Sequence, residues 1–261
     1  MTTVNYPFTA ILLAGDRPGD PLAEVAPGKR KALLPLRGRS MILYVLETLS
    51  ATTAVEEIIV VANGVADIAD NPDVAAFARQ RPVRFLEGAD GPAASVLKAC
   101  DGIIGSILVT TADSPLLTVA TLEDFCARAD DTRDVVVGVA REKDIRKAFP
   151  GARRAFLRMR DGGVSGCNLF AGSAGAVAHA AAGWVDVESK RKRPLAFIAH
   201  FGGFTLLRAL TGMLSLKNAL DAVSKTLGVR AGAVILNDPL AAMNVDRFDH
   251  VAMAELILSG R

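Results

Sequence analysis

Apolar residues in the first half of the chain fall alternately in unbroken blocks and at helical spacing. Residues 8–14, "FTAILLA", form a block that stops at Gly15 and reads as a buried strand. In "MILYVLETLSA", Ile42, Leu43, Val45, Leu46 and Leu49 recur at helical spacing, and Ser40 reads as the helix N-cap. "EEIIVVAN" (56–63) is a second strand, and "NPDVAAFARQ" opens a helix with Pro72 in first position after Asn71. "VRFLEG" is a short strand, and "GPAASVLKACDG" is a short helix closed by Gly102. "SILVTTADSP" (106–115) is a strand ending in a polar turn. "TVATLEDFCARAD" is a helix capped by Thr118, and "RDVVVGVA" (133–140) is another strand. Strands that alternate with helices and are apolar on both faces imply an α/β fold, a mostly parallel central sheet covered by helices.

Beyond Ala140 the rhythm breaks. Residues 141–170 are basic and turn-rich, with two strand-like pieces, and 174–227 is mainly helical. "AGAVILNDPLAAMNV" offers two short strands. "DRFDHVAMAELILSG" reads as a last helix, with Asp246 as N-cap and Gly260 as terminator. No repeat or linker divides the chain, so 1–261 reads as a single domain with a helical insertion at 174–227.

Composition narrows the function. The chain has 261 residues, 51% of them apolar, enough for a sizeable core. The net charge of +2 gives no support to a nucleic-acid partner. Cys100, Cys126 and Cys167 form no metal-binding spacing and suit a reducing compartment. The N-terminal residues do not read as a signal peptide, and a cytoplasmic location is expected. The most apolar stretch, 194–216, is interrupted by His200, Gly202, Gly203 and Arg208. It reads first as subdomain core and second as a surface that docks weakly on a membrane. His179, His200, His250 and Trp184 read as packing residues.

Two turns carry candidate chemistry. Ligands of an open parallel sheet bind beyond the carboxyl ends of its strands. The first turn, within "ILLAGDRPGDPLAEVAPGKRKALLPL" (11–36), holds Asp16, Arg17, Asp20, Lys29, Arg30 and Lys31. It reads either as a phosphate loop hinged at Gly15 or as a solvated surface loop. It is not a Walker A motif, since Arg30 follows Gly28-Lys29 and Ala23 holds the first-glycine place. "GDRPG" has the wrong spacing for a dinucleotide fingerprint. In the second turn, "TTADSPLLT" (110–118), Asp113 stands just past an apolar strand. A carboxylate there suits Mg²⁺, which takes oxygen ligands from one or two carboxylates and substrate phosphates.

The ordered set "LAG…KRKALLPLRGRSMILYVLETL", "GPAAS", "TTADSPLLT", "GGVSGCNLF" and "NVDRFDHVAMAELIL" resembles the MobA-like NTP transferases, nucleotidyltransferases with a GT-A-like, Rossmann-like three-layer fold. The resemblance implies roles by position. Leu13, Ala14 and Gly15 open the nucleotide loop, and Lys31 contacts phosphate. Gly91, Pro92, Ala93, Ala94 and Ser95 face the base and sugar. Asp113 and Asp246 bind Mg²⁺, while Gly166 and Asn168 line the acceptor side. Two positions depart from the family pattern: Asp16 replaces a second glycine, and Asp20 stands where an arginine is expected, with Arg17 as a substitute cation.

The implied reaction is transfer of NMP from an NTP to a phosphorylated small molecule, with release of pyrophosphate. The basic runs "ESKRKRP" and "RKAFPGARR" (146–154) read first as solvated faces; the second reading is that one or two of their residues, such as Lys192 or Arg193, hold the acceptor phosphate. A sugar-nucleotide glycosyltransferase is a rival reading, weakened because Thr111-Ala112-Asp113 lacks the first acid of Asp-x-Asp. A nucleotide-binding regulatory protein without turnover is the other.

Overall fold

A computed structural model describes residues 7–129, 132–151, 154–188 and 198–260. Among the described residues nine strands form: β1 Phe8–Leu13, β2 Pro35–Leu36, β3 Arg39–Ser40, β4 Val55–Ala62, β5 Val83–Glu87, β6 Ser106–Thr111, β7 Val135–Arg141, β8 Val164–Ser173 and β9 Ala231–Leu236. Seven of them build one sheet in the order β5-β4-β1-β6-β8-β7-β9, while β2 and β3 form a small separate hairpin. Every pairing in the large sheet is parallel except those of β8 with β6 and β7. The expected mostly parallel α/β sheet is present.

The sheet is buried on both faces because its strands are apolar at successive positions. Side chains alternate across a strand, so Phe8, Ala10 and Leu12 of β1 join one core while Ile11 joins the other. On the first face lie α2 (Met41–Ala51), supplying Met41, Ile42, Val45, Leu46 and Leu49, and α6 (Val119–Arg128), supplying Leu122 and Phe125. On the second face lie α5 (Pro92–Ala99), with Val96 and Ala99, and α8 (Ala174–Glu188), with Ala174, Val177 and Ala181. Burying about 1.5–3 kcal/mol per large apolar side chain on each face is what fixes the three layers. Further helices are α1 (Pro21–Val25), α3 (Val65–Ala69), α4 (Pro72–Gln80), α7 (Glu142–Ala148), α9 (Gly203–Leu210), α10 (Leu216–Leu227) and α11 (Phe248–Ser259).

The site follows from strand order. β4 and β5 lie on one side of β1 and β6 on the other, so the direction of winding reverses between β1 and β6. Leu13 is in register with Thr111, and the Ala112 N–H donates to the Leu13 carbonyl at 2.9 Å. The two turns singled out in the sequence therefore leave the sheet side by side, at its topological switch point.

Several local expectations are corrected. Ser40 precedes α2 but caps nothing with its side chain, because it is the last residue of the β2–β3 hairpin. In 141–173 a helix, α7, and an isolated Leu157–Val164 bridge accompany one long strand, β8, instead of two strand-like pieces. The second strand expected in 231–245 is a 3-10 turn, Pro239–Ala242, started by Pro239 and capped by the Asp238 carboxylate on the Leu240 N–H. Arg247, not Asp246, precedes α11, which leaves the Asp246 carboxylate free to face the site. Within 198–216, α9 buries none of its residues and exposes Phe204, Leu207 and Leu210, so α9 is surface and not subdomain core, while Leu214 beyond it is buried; 194–197 lie outside the described residues. Among the described residues no helix is long and apolar enough to cross a membrane.

Candidate active site

The loop after β1 is folded back by carboxylates as much as by glycines. Gly15 allows a close approach: a Cβ there would lie 2.9 Å from Asn63 Oδ1 and would push that side chain aside. The Asp16 N–H donates to that same Oδ1 at 3.0 Å, and Asp16 Oδ1 accepts the Lys31 N–H at 3.0 Å. Asp16 thus bridges the two ends of the loop. Asp20 starts α1 by accepting the Leu22 N–H at 2.9 Å. Gly28 (φ 62°) and then Lys29 (φ 53°) turn the chain in the left-handed region. Arg30 donates through Nε and Nη2 to Asp67 Oδ2, at 2.9 and 2.7 Å, which ties the loop to α3.

These contacts deliver Lys31 to the ends of β1 and β6. Its Nζ lies 2.8 Å from Asp113 Oδ2, 3.3 Å from Asp246 Oδ1 and 3.9 Å from Asp20 Oδ2. Asp113 Oδ1 accepts from Thr111 Oγ1 at 2.6 Å and from Asn244 Nδ2 at 3.3 Å. Burial pushes the Asp113 carboxyl up, but the Lys31 charge and the bonds from Lys31, Thr111 and Asn244 together hold it below its ordinary value. Burial depresses Lys31 in turn, and Asp113, Asp246 and Asp20 more than reverse this, so its ammonium is held above its usual range. Asp16 goes the other way. Burial raises its carboxyl despite the Lys31 N–H bond and Arg30 nearby, and its Oδ2 is buried without a hydrogen bond among the described residues.

Polar side chains extend the centre toward β8. Asn168 Nδ2 donates to Thr111 Oγ1 at 3.1 Å, from a left-handed backbone (φ 51°) that is uncommon outside glycine. Asn244 Nδ2 also donates to Ser114 Oγ at 3.1 Å. Arg154 Nη2 reaches Asn244 Oδ1 at 3.3 Å and the Gly166 carbonyl at 3.4 Å, and its Nε reaches Ser165 Oγ at 3.3 Å. Its hydrogen-bond partners are all neutral and it makes no ion pair among the described residues; burial lowers its guanidinium below the usual range, although the Asp246 and Asp113 charges act against this. The Val245 N–H donates to the Asp113 carbonyl at 2.8 Å, which locks the segment carrying Asn244 and Asp246 onto the β6 turn.

On the other flank, Gly91 (φ 93°) and Pro92 start α5, where Ala93 is buried. The Ser95 hydroxyl accepts the Ala89 N–H at 2.9 Å, so it shapes the turn 88–91 beside the site. Glu87 accepts the N–H groups of Gly64 and Val65, at 2.7 and 3.1 Å. Leu13 and Ala14 lie at the end of β1, where the Ala14 N–H donates to Val61. Arg17 is exposed and its side chain meets no partner among the described residues. Lys192 and Arg193 lie outside the described residues. Cys167 is fully buried, and burial pushes its thiol up to about 12, the behaviour of a packing cysteine and not of an activated one.

Lys31, Asp113, Asp246, Gly15 and Asn168 therefore converge. The sequence did not single out Thr111 or Asn244 as part of this cluster, and it placed Arg154 only within a basic stretch. Asn244 lies in the quoted "NVD" motif, two residues before Asp246, so its signal was present. Among the described residues no group of three or more His, Cys, Asp or Glu could hold a metal unaided. Asp113 and Asp246 instead offer two carboxylates already converging on a cation, the number Mg²⁺ takes when phosphate and water complete its shell.

The sequence profile of the MobA-like NTP transferase domain matches residues 10–226. The chain belongs to that family. The match ends before Asn244 and Asp246, which enter the site on geometry. A solved structure described as a hypothetical transferase from Thermus thermophilus is 29% identical, with a TM-score of 0.80 over 94% of this chain and 99% of that one. Two 4-diphosphocytidyl-2C-methyl-D-erythritol synthases share the fold. The one from Anaerococcus prevotii is 10% identical with a TM-score of 0.59, covering 97% of this chain and 96% of that one. The other is 16% identical with a TM-score of 0.61, covering 97% and 99%. No curated protein matches the chain in sequence. Membership of the family implies an NTP as substrate, and the solved structures share the fold.

Proposed function

We propose that this chain transfers a nucleoside monophosphate from an NTP to a phosphorylated small molecule, assisted by Mg²⁺. The observation that carries the reading is the Lys31 ammonium bracketed by Asp113 and Asp246 at the switch point of the sheet. An acceptor phosphate oxygen attacks the α-phosphorus, the α–β bridging P–O bond breaks, and pyrophosphate leaves with the bonding electrons. A phosphate is already an anionic nucleophile, so no general base is required. Catalysis is then positioning and charge neutralisation. Mg²⁺ held by Asp113 and Asp246 would supply positive charge at the α-phosphate. Lys31 would turn from the carboxylates to the departing pyrophosphate. Arg154, half-buried and hydrogen-bonded to neutral groups among the described residues, would take the acceptor's phosphate.

A screen of pyrophosphate release, with the four NTPs against phosphorylated sugars, polyols and pterins, tests this. Release should require acceptor and Mg²⁺ and should be abolished in Asp113→Ala; release at the wild-type rate in that variant would overturn it. Asp16 supports a second reading, nucleotide binding without turnover, because its carboxylate adds negative charge to a phosphate loop. NTP binding without pyrophosphate release from any acceptor would favour that one.

A further inference from the structure

We propose that His250 is a positioning residue for Asp246, holding the metal-binding carboxylate through its backbone. This rests on the assignment of Asp246 to the cation site. The Asp246 side chain is 53% exposed, and among the described residues its one hydrogen-bond partner is Lys31 Nζ, with the Arg154 charge acting from farther away. No hydrogen bond therefore fixes the carboxylate once Lys31 moves to a phosphate. Its backbone is fixed on both sides. The Val245 N–H donates to the Asp113 carbonyl at 2.8 Å, and the Asp246 N–H donates to His250 Nδ1 at 3.3 Å. His250 stands in the first turn of α11, where its own N–H bonds the Arg247 carbonyl at 3.0 Å.

Accepting at Nδ1 sets the imidazole tautomer with its hydrogen on Nε2. That Nε2 is buried and has no hydrogen-bond partner among the described residues, in a residue only 6% exposed. A buried donor without an acceptor destabilises a fold. A leucine would fill the space without that penalty, so the imidazole is a poor choice for packing and a suitable one for accepting the Asp246 N–H. Groups behind the direct ligands of a metal commonly change affinity by about 10–100-fold when removed.

His250→Leu and His250→Asn separate a positioning role from a structural one, since asparagine Oδ1 can accept where Nδ1 did. Three readouts are taken: thermal stability, amide hydrogen exchange at Asp246 without metal, and the affinity for Mn²⁺ with NTP. His250→Leu should keep or raise the melting temperature, speed exchange at the Asp246 amide, and weaken Mn²⁺ binding by about tenfold or more. His250→Asn should restore both protection and affinity. Unchanged exchange and affinity in His250→Leu would overturn the proposal, as would losses that only track a lowered melting temperature. If the wild type binds no Mn²⁺ with NTP, the cation-site assignment fails, and the exchange data still judge the backbone contact separately.

Discussion

The Lys31 ammonium donates to Asp113 Oδ2 across 2.8 Å, so that a side chain of the chain's own holds the position between Asp113 and Asp246. A divalent cation arriving alone must compete with it, whereas one arriving with a triphosphate offers Lys31 a new partner. Lys31→Met should therefore bind Mn²⁺ without nucleotide several-fold more tightly than wild type, while NTP turnover falls by about 10² or more. Electron paramagnetic resonance titration of free Mn²⁺ reads the first effect. Weaker binding in the variant would show that Lys31 does not compete for the site.

Asp16 contributes the opposite sign. Its folded-state carboxyl is raised, so at neutral pH its ionised form destabilises the fold; that penalty disappears below its unfolded value of about 3.9. Asp16→Asn keeps an acceptor for the Lys31 N–H and removes the charge. It should melt roughly 2–4 °C higher at pH 7, lose that advantage as pH falls toward 4, and bind NTP more tightly. A lower melting temperature at pH 7 would show that the Arg30 contact outweighs the burial.

For Asp113 the signs reverse again. A carboxyl held below its ordinary value stabilises the fold above about pH 3.9, and that contribution is lost as pH falls through the lower folded value. Asp113→Asn should cost about 1–3 kcal/mol at pH 7, and its deficit against wild type should shrink in acid. Urea unfolding at a series of pH values measures the difference, and a deficit that does not vary with pH would deny the ion pair its role.

Arg154 tests the acceptor side. Arg154→Met should raise the acceptor's KM by about 10–100-fold, the loss of one charge-assisted bond, with the KM for NTP little changed. The reverse pattern would place Arg154 on the triphosphate.

Much of this was legible in the chain. The apolar blocks of β1, β4 and β6 and the spacing in α2 declared the layers because both faces of the sheet are buried, leaving no ambiguity of period. Lys31, Asp113 and Asp246, singled out through their motifs, come together in the structure. What sequence could not supply was contact across long separations. Thr111 and Asn168 lie 57 residues apart, and Arg154 and Asn244 90. Polar residues of this kind look like ordinary turn or strand positions until the antiparallel β8 and the return from β9 bring them together. Ser40 and Asp246 misled as caps for a related reason: each is a good capping residue, and tertiary structure had other uses for its position.

The most direct test of the site is the binding of Mn²⁺ in the presence of NTP by the wild type and by the Asp113→Asn, Asp246→Asn double variant. One tightly bound ion per chain in the wild type, dependent on NTP and lost in the double variant with its fold intact, is the expected result. Equal binding by the folded double variant would contradict the assignment of Asp113 and Asp246 as the centre that holds the nucleotide's metal.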